Sequence, residues 1–450
     1  MIHFVTAHHS QADWTAMSEP IPPANGPGRR TFLRTSGLVA AAMTGGAVAG
    51  TAGVSLHRNG SGSAPSAAAA GYRGSVGFFG PHQAGIIDQA PAHLRFIAFD
   101  LGESTLAEGR TALATLMRRL SQAAAQMTAG RWIPEQGSVA SGLLPAGLSV
   151  TFGFGPRLVR AAGVAVPPAL APLPSFPTDE LVPSRSGGDL AVQVCAEDEL
   201  LAVSVARALG RIVGPAGRAR WTQNGFLPGA AAPPASPPAA SPATGTGTGA
   251  GTGTATATPR NLMGQLDGTD NPNGARRDLA VWVGADTGPD WMVGGSYLVC
   301  RRIRMLLDVW DRTSVPTKEA VIGRRLDSGA PLTGGSEHST PSFSASGADG
   351  RPVIAADAHL RLTHPANNGG ATMLRRGYSY DDGLRGDGAP DAGLFFQAFQ
   401  TDPREVFVPI QRKLAARDAL ERFIRHESSA LFAVPPGAEE GGWVGQRLLG

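Results

Sequence analysis

Leu94-Arg95-Phe96-Ile97-Ala98-Phe99-Asp100-Leu101 is an apolar run of strand length, and residues 105–127 behind it repeat Leu, Ala and Met at three- and four-residue spacing, as an amphipathic helix does. Downstream, 148–155 and 189–195 alternate or run apolar as strands do, 200–213 reads as a second helix, and another strand falls near 220–225. Strand, helix, strand, strand, helix, strand is the split βαβ order of ferredoxin-like folds. A second cycle follows residue 259, with elements at 278–284, 295–305 and 393–400 and helices near 318–325 and 403–415. The repeated order predicts an α+β protein in which two ferredoxin-like (βαββαβ) domains pack together. Residues 329–368 lack strong periodicity and read as a long loop region, where functional residues concentrate.

A chain of 450 residues exceeds one ordinary domain, and 42% hydrophobic with 17% charged residues excludes a wholly disordered acidic or basic polypeptide. Its 60 Gly and 36 Pro are spread along the whole chain, but the first 70 residues and 229–259 combine them with few large apolar residues in regular spacing, and the composition elsewhere is globular. Residues 229–258 are Ala, Pro, Ser, Gly and Thr alone and read as a disordered insertion in a surface connection, since they cannot bury a core. The expected divisions are therefore 1–70, 71–228, 229–259 and 260–445. The net charge of +3 includes Arg29, Arg30, Arg34 and Arg58 of the leader, and no run of like charges is present, so nothing points to nucleic acid.

Gly28-Arg29-Arg30-Thr31-Phe32-Leu33-Arg34 precedes a moderately apolar run at 38–54 interrupted by glycines, which reads as a twin-arginine export signal rather than a membrane span. The Ala-rich 64–70 offers a cleavage region. This signal predicts a periplasmic, cell-envelope or extracellular protein, and a route that carries folded, often cofactor-loaded proteins favours a redox function. Cys195 and Cys300 are too few for a Cys-rich zinc or iron-sulfur site; a disulfide between them and two buried free thiols both fit the pattern.

Residues 264–273, Gly-Gln-Leu-Asp-Gly-Thr-Asp-Asn-Pro-Asn, place glycines on both flanks of Asp267, which suits either close backbone approach to a ligand or a plain Asx turn. His359 lies in Asp357-Ala358-His359-Leu360-Arg361-Leu362, with His364 five residues on before Pro365. No His-x-x-x-His or His-Glu-x-x-His occurs, so a metal cage is not indicated, whereas a porphyrin needs only one axial imidazole. In Met373-Leu374-Arg375-Arg376-Gly377-Tyr378, extended backbone would send Arg375 and Arg376 opposite ways.

Together these segments resemble the dye-decolourising peroxidases, in particular the exported branch that includes deferrochelatase-like proteins. The likeness spans roughly residues 72–435 and rests on 80–86 (Gly-Pro-His-Gln-Ala-Gly-Ile), the Gly-x-x-Asp-Gly-Thr run at 264–269, 295–297 with 301–305, 322–324, 359–362 and 374–378. Two departures are Gln265-Leu266 where many relatives carry Phe-Lys, and His364 where the branch commonly has Asn.

The resemblance implies a haem b (iron protoporphyrin IX) peroxidase, with the haem in the C-terminal half, that reduces hydrogen peroxide through a high-valent iron-oxo intermediate and oxidises dyes, phenols or other organic reductants. It implies that His359 is the axial iron ligand, that Asp267 and Arg375 are the catalytic acid and arginine, and that Gly268 and Thr269 are cofactor-binding residues. Haem propionates want basic partners, for which Arg324 or Arg302 serves, and the second nitrogen of His359 wants a carboxylate, for which Glu421 is favoured over Asp391. An aspartate as proton shuttle predicts an acidic optimum. Bulky dyes would be oxidised through a surface radical on Trp291, Trp310, Tyr378 or Tyr380. The partners implied are peroxide, a reductant and the twin-arginine machinery. An alternative reading, haem iron release, adds an iron-uptake permease and lipoprotein. A homo-oligomer is compatible with this reading. A binding protein without redox chemistry would be expected to lack Asp267 or Arg375, and a chlorite dismutase-like activity fits the acidic motif less well.

Overall fold

The computed structural model describes residues 74–132, 142–228 and 258–450; the export signal, the cleavage region and residues 229–257 of the insertion lie outside the described residues. The opening strand β1 (His93–Leu101) leads to α1 (Glu103–Glu108) and α2 (Arg110–Thr128). Periodicity alone predicts one helix here. Gly109 divides it, because its φ of +62° lies in the region that favours glycine and an added Cβ would sit 2.8 Å from the Ala161 carbonyl oxygen. Then follow β2 (Ser149–Phe154), α3 (Pro156–Ala161), β3 (Leu190–Ala196), α4 (Glu199–Val213) and β4 (Gly217–Phe226). Asp198 caps α4 by accepting the Leu201 N–H at 2.8 Å. Helices α2 and α4 lay Leu113, Met117, Leu120, Val205 and Leu209 on one face of the sheet, against Val150, Phe152, Val192 and Val194.

In the second half, residues 278–284 form no opening strand: most of them belong to α5 (Gly274–Val281), and the first strand is β5 (Ser296–Met305). The short helices α6 (Leu307–Arg312), α7 (Val315–Ile322) and α8 (His359–Thr363) precede β6 (Leu374–Arg375), β7 (Tyr378–Leu384) and β8 (Pro390–Gln400). The chain ends with α9 (Phe407–Arg417), β9 (Ile424–His426), β10 (Ala430–Val434) and α10 (Gln446–Leu449).

Strand order in the first half is β4-β1-β3-β2, all antiparallel, and in the second β10-β5-β8-β7, the same ferredoxin-like order twice. The fold is thus α+β with two ferredoxin-like domains packed together, as the element order predicts. The two sheets join edge to edge through Phe226 with Ser379 and Ala433 with Phe154, so the eight strands form one ring. Phe96, Trp221, Phe395, Phe432 and both cysteines fill the space between the sheets; the cysteines are free thiols, which decides between the two states the sequence allowed.

The alternation of β5 then sets the site. Cys300 and Leu298 face the inner core, while Arg301, Ile303 and Met305 face the outside of the second sheet, where a cleft opens under α8 and α9.

Candidate active site

The cleft is walled by the outer face of β5, β8 and β9, by α8, α9 and the 419–422 turn, and by the loop 261–270. Its lining is largely apolar, with Met263, Ile303, Met305, Ile322, Leu394 and Phe396 among the residues that face it.

The loop is held firmly. Arg260 donates to the Gly264 and Leu326 carbonyls at 2.6 and 2.7 Å, and the buried Trp310 indole donates to the Met263 carbonyl at 2.9 Å. Gly268 has φ +116°, which a side chain would strain, so this glycine serves the turn itself; it does not line the cleft. The turn presents Asp267 to the cleft, 3.6 Å from the Arg375 guanidinium, and Asn261 donates to its other oxygen at 3.3 Å. Thr269 lines the cleft but commits its hydroxyl to Glu337 at 2.9 Å.

Arg375 reaches the same place from β6, 108 positions along the chain, and the link between them is a residue that sequence reasoning missed. The Asn271 amide accepts the Arg375 backbone N–H at 3.0 Å and donates to the Arg375 carbonyl at 2.7 Å, clamping strand to loop. Arg376 points the other way into the core, as extended backbone requires: it is buried and donates to the Asp88 carbonyl.

His359 opens α8. Its Nδ1 lies 2.6 Å from a carboxylate oxygen of Asp418, which is buried and whose other oxygen accepts the Leu420 N–H at 2.8 Å. Burial acts against a charged imidazole here, but the charge and hydrogen bond of Asp418 outweigh it and the pKa lies above its ordinary value; Arg375 opposes that shift and Asp267 adds to it. Asp418 is therefore the partner of His359, in place of Glu421 or Asp391. Glu421, on the turn that follows, points to His426 at 3.3 Å, and Asp391 is tied to Arg302 at 2.9 Å.

Arg302 is also displaced from its expected role. It lies on the opposite face from Arg301, 4.1 Å over the Tyr380 ring and bound to Glu427, Asp382 and Asp391, away from the cleft. Arg324 does line the cleft, with one nitrogen committed to the Gly329 and Glu337 carbonyls. Burial lowers its pKa, Asp270 and Glu337 act in the opposite direction, and Arg375 adds to the lowering. His364 lines the cleft too, but its Nδ1 accepts the Ala366 N–H at 3.2 Å and its ring sits edge-on to Phe343, with no carboxylate hydrogen-bonded to it among the described residues. Trp291, Trp310, Tyr378 and Tyr380 are all buried, so none offers a surface ring for bulky reductants.

Haem fits these residues. One imidazole has its Nδ1 fixed by a carboxylate and its Nε2 without a hydrogen bond among the described residues, which is the usual arrangement of an axial ligand. The apolar walls suit a macrocycle, and several buried polar atoms without partners line the same cleft.

Comparison with known proteins agrees. The Dyp-type peroxidase N-terminal family model matches residues 83–227 and the C-terminal model 258–439. A dye-decolorizing peroxidase of Thermobifida fusca is 43% identical over 453 aligned positions, covering 96% of this chain and all of that protein. The deferrochelatase of Escherichia coli K12 is 32% identical over 446, covering 94% of this chain and 97% of that one. The solved structure of ferric DtpA from Streptomyces lividans superposes with a TM-score of 0.75 at 44% identity, over 84% of this chain and 98% of that one.

Proposed function

The chain belongs to the Dyp-type peroxidase family of enzymes, and from that premise we propose that it binds haem b through His359 and reduces hydrogen peroxide at the expense of organic reductants such as dyes and phenols. The observation that carries this reading is the meeting, in one cleft, of the Asp267–Arg375 pair at 3.6 Å and a histidine fixed by a buried carboxylate at 2.6 Å.

Haem, when bound, supplies the iron that holds the peroxide and accepts its oxidising equivalents. The protein does the rest. Asp267 takes a proton from one peroxide oxygen and returns it to the other as the O–O bond breaks. Arg375 holds a fixed positive charge beside the oxygen on which negative charge develops as the bond breaks, before that oxygen leaves as water with the returned proton, and Asn271 keeps that charge beside Asp267. Asp418 orients the His359 ring and raises its electron donation. The apolar walls limit water, which strengthens each of these charge interactions.

The test is rapid mixing of the haem-loaded protein with peroxide. Asp267→Asn is expected to slow peroxide turnover by roughly 10²- to 10⁴-fold and Arg375→Leu by about 10²- to 10³-fold, with haem still bound. Wild-type dye oxidation is expected to be faster in acid than at neutral pH; a neutral or alkaline optimum contradicts Asp267 as the shuttle.

The Escherichia coli relatives favour a second reading, release of iron from haem with the porphyrin left intact. Metal-free porphyrin appearing under reducing conditions without peroxide would support it. Arg29 and Arg30 support export by the twin-arginine route to the periplasm, cell envelope or exterior; replacing both with Lys is expected to retain the protein in the cytoplasm.

A further inference from the structure

The loop that carries Asp267 holds a side chain to which none of the roles above gives a task. Asn261 lies opposite Gln265 in a tight hairpin: its backbone N–H donates to the Gln265 carbonyl at 2.9 Å and its carbonyl accepts the Gly264 N–H at 2.9 Å. Arg260 bridges to Leu266, and the Asp267 N–H donates to the Pro259 carbonyl at 2.8 Å. The hairpin brings Asn261, six positions back along the chain, to the cleft beside Asp267.

An amide side chain has one accepting and one donating end, and here the backbone decides which end points where. Asn261 Oδ1 accepts the Met263 N–H at 3.0 Å, and a backbone N–H can only donate. The Nδ2 end is therefore turned to Asp267, where it donates to Oδ2 at 3.3 Å. Turning the amide over would set donor against donor at Met263 and an amide oxygen against the carboxylate. An oxygen that faces an amide N–H with no freedom to turn is a poor seat for a proton. The two oxygens of Asp267 are thus unequal, because Oδ1 faces Arg375 at 3.6 Å and accepts no hydrogen bond among the described residues.

We propose that Asn261 is a positioning residue for the proton step: it occupies Asp267 Oδ2, so that the proton taken from peroxide rests on Oδ1, the oxygen beside Arg375. This rests on Asp267 as the shuttle and goes beyond it by naming the atom. The proton leaves one peroxide oxygen, sits on Oδ1 and passes to the other oxygen, which departs as water; the carboxylate is restored and Asn261 is unchanged. A hydrogen bond to the charged form also resists protonation, so its removal lets Asp267 take up a proton at higher pH. The charged or titratable groups facing that part of the cleft are Arg375 of β6, Asp270 of the same loop, Arg324 after α7, and His359 and His364 at the two ends of α8. Every variant below keeps them.

The test follows the infrared band of the protonated Asp267 carboxyl during pH titration of the haem-free protein, taken as the difference from Asp267→Asn in each background, and the peroxide reaction rate of the haem-loaded protein. Asn261→Asp keeps an acceptor for the Met263 N–H but turns an acceptor toward Oδ2, which draws the proton between the two carboxyls and away from Arg375. Asn261→Ala removes both bonds. The titration midpoint should rise by about one pH unit or more in Asn261→Asp and by about half a unit in Asn261→Ala. Asn261→Asp should also slow the peroxide reaction at least about tenfold, with haemin affinity unchanged. A residue that only closes the loop predicts the opposite order, because only Asn261→Ala strands the Met263 N–H. Midpoints in both variants within about 0.2 unit of wild type overturn the proposal, as does a peroxide rate in Asn261→Asp within about twofold of wild type. If the midpoints rise as expected but Asp267→Asn reacts with peroxide at the wild-type rate, the shuttle reading itself fails and the assignment of the proton to Oδ1 falls with it.

Discussion

Replacing Asp418 isolates the contact that distinguishes His359 from His364, the histidine five residues on that lines the same cleft. Asp418→Asn keeps the side chain's shape and an oxygen for the Leu420 N–H, but removes the negative charge 2.6 Å from His359 Nδ1. The carboxylate is 1% exposed on its side chain, so water cannot take its place. Partners of metal-bound histidines typically contribute 10- to 100-fold in affinity or activity, which corresponds to about 1.4–2.8 kcal/mol. Asp418→Ala removes the hydrogen bond as well and strands the Leu420 N–H, so it should lose more. The assay is the haemin affinity of each variant, with the ferric absorption spectrum as a readout that a purely structural role would not shift. Both variants binding haemin within twofold of wild type, with an unchanged ferric spectrum, would refute the claim that Asp418 tunes the ligand.

Three other predictions follow from the same geometry. Asn271→Ala breaks both hydrogen bonds that clamp Arg375, so peroxide turnover should fall at least about tenfold while haemin affinity stays the same; Asn271→Asp, which keeps only the acceptor, should fall between, and equal loss of haemin binding would show a general collapse instead. In the haem-free protein, the raised pKa of His359 means that folding stabilises its charged form: the stabilisation is fully present below the ordinary value of 6.5 and is lost as pH rises through the higher folded-state value. Thermal melts of wild type against His359→Ala should therefore show a difference in pH dependence across that window, and identical profiles count against the pair. Gly109→Ala should destabilise the fold by about 1–3 kcal/mol in denaturant melts, because the new Cβ meets the Ala161 carbonyl and the left-handed backbone together; a loss under about 0.5 kcal/mol contradicts the strain.

Local signals carried the first half of the fold well, since its strands are continuous apolar runs and α4 has a strong apolar face. The second half was less legible. Residues 278–284 have the composition of a short strand but follow a turn that starts α5, and β9 and β10 are short strands whose pairing with β5 no local pattern reveals. The positions of Asp267, Arg375 and His359 were readable as motifs, but their supports were not. Asp418 lies 59 residues from His359 and looks like a turn residue, which it also is, capping the 419–422 turn. Glu421, three positions later in an equally plausible context, faces His426 because the tight turn rotates it away. Adjacent Arg301 and Arg302 could not be told apart by type; strand alternation alone sends one to the cleft and the other to the Glu427 network.

The most direct measurement is the absorption spectrum of the purified protein with haemin, before and after one equivalent of hydrogen peroxide, beside His359→Ala and Asp267→Asn. The account predicts a sharp Soret band in wild type and Asp267→Asn but not in His359→Ala, and a change within seconds of adding peroxide only in wild type. A His359→Ala spectrum identical to wild type would move the ligand to His364, and a wild-type band that peroxide merely bleaches slowly would contradict the peroxidase mechanism.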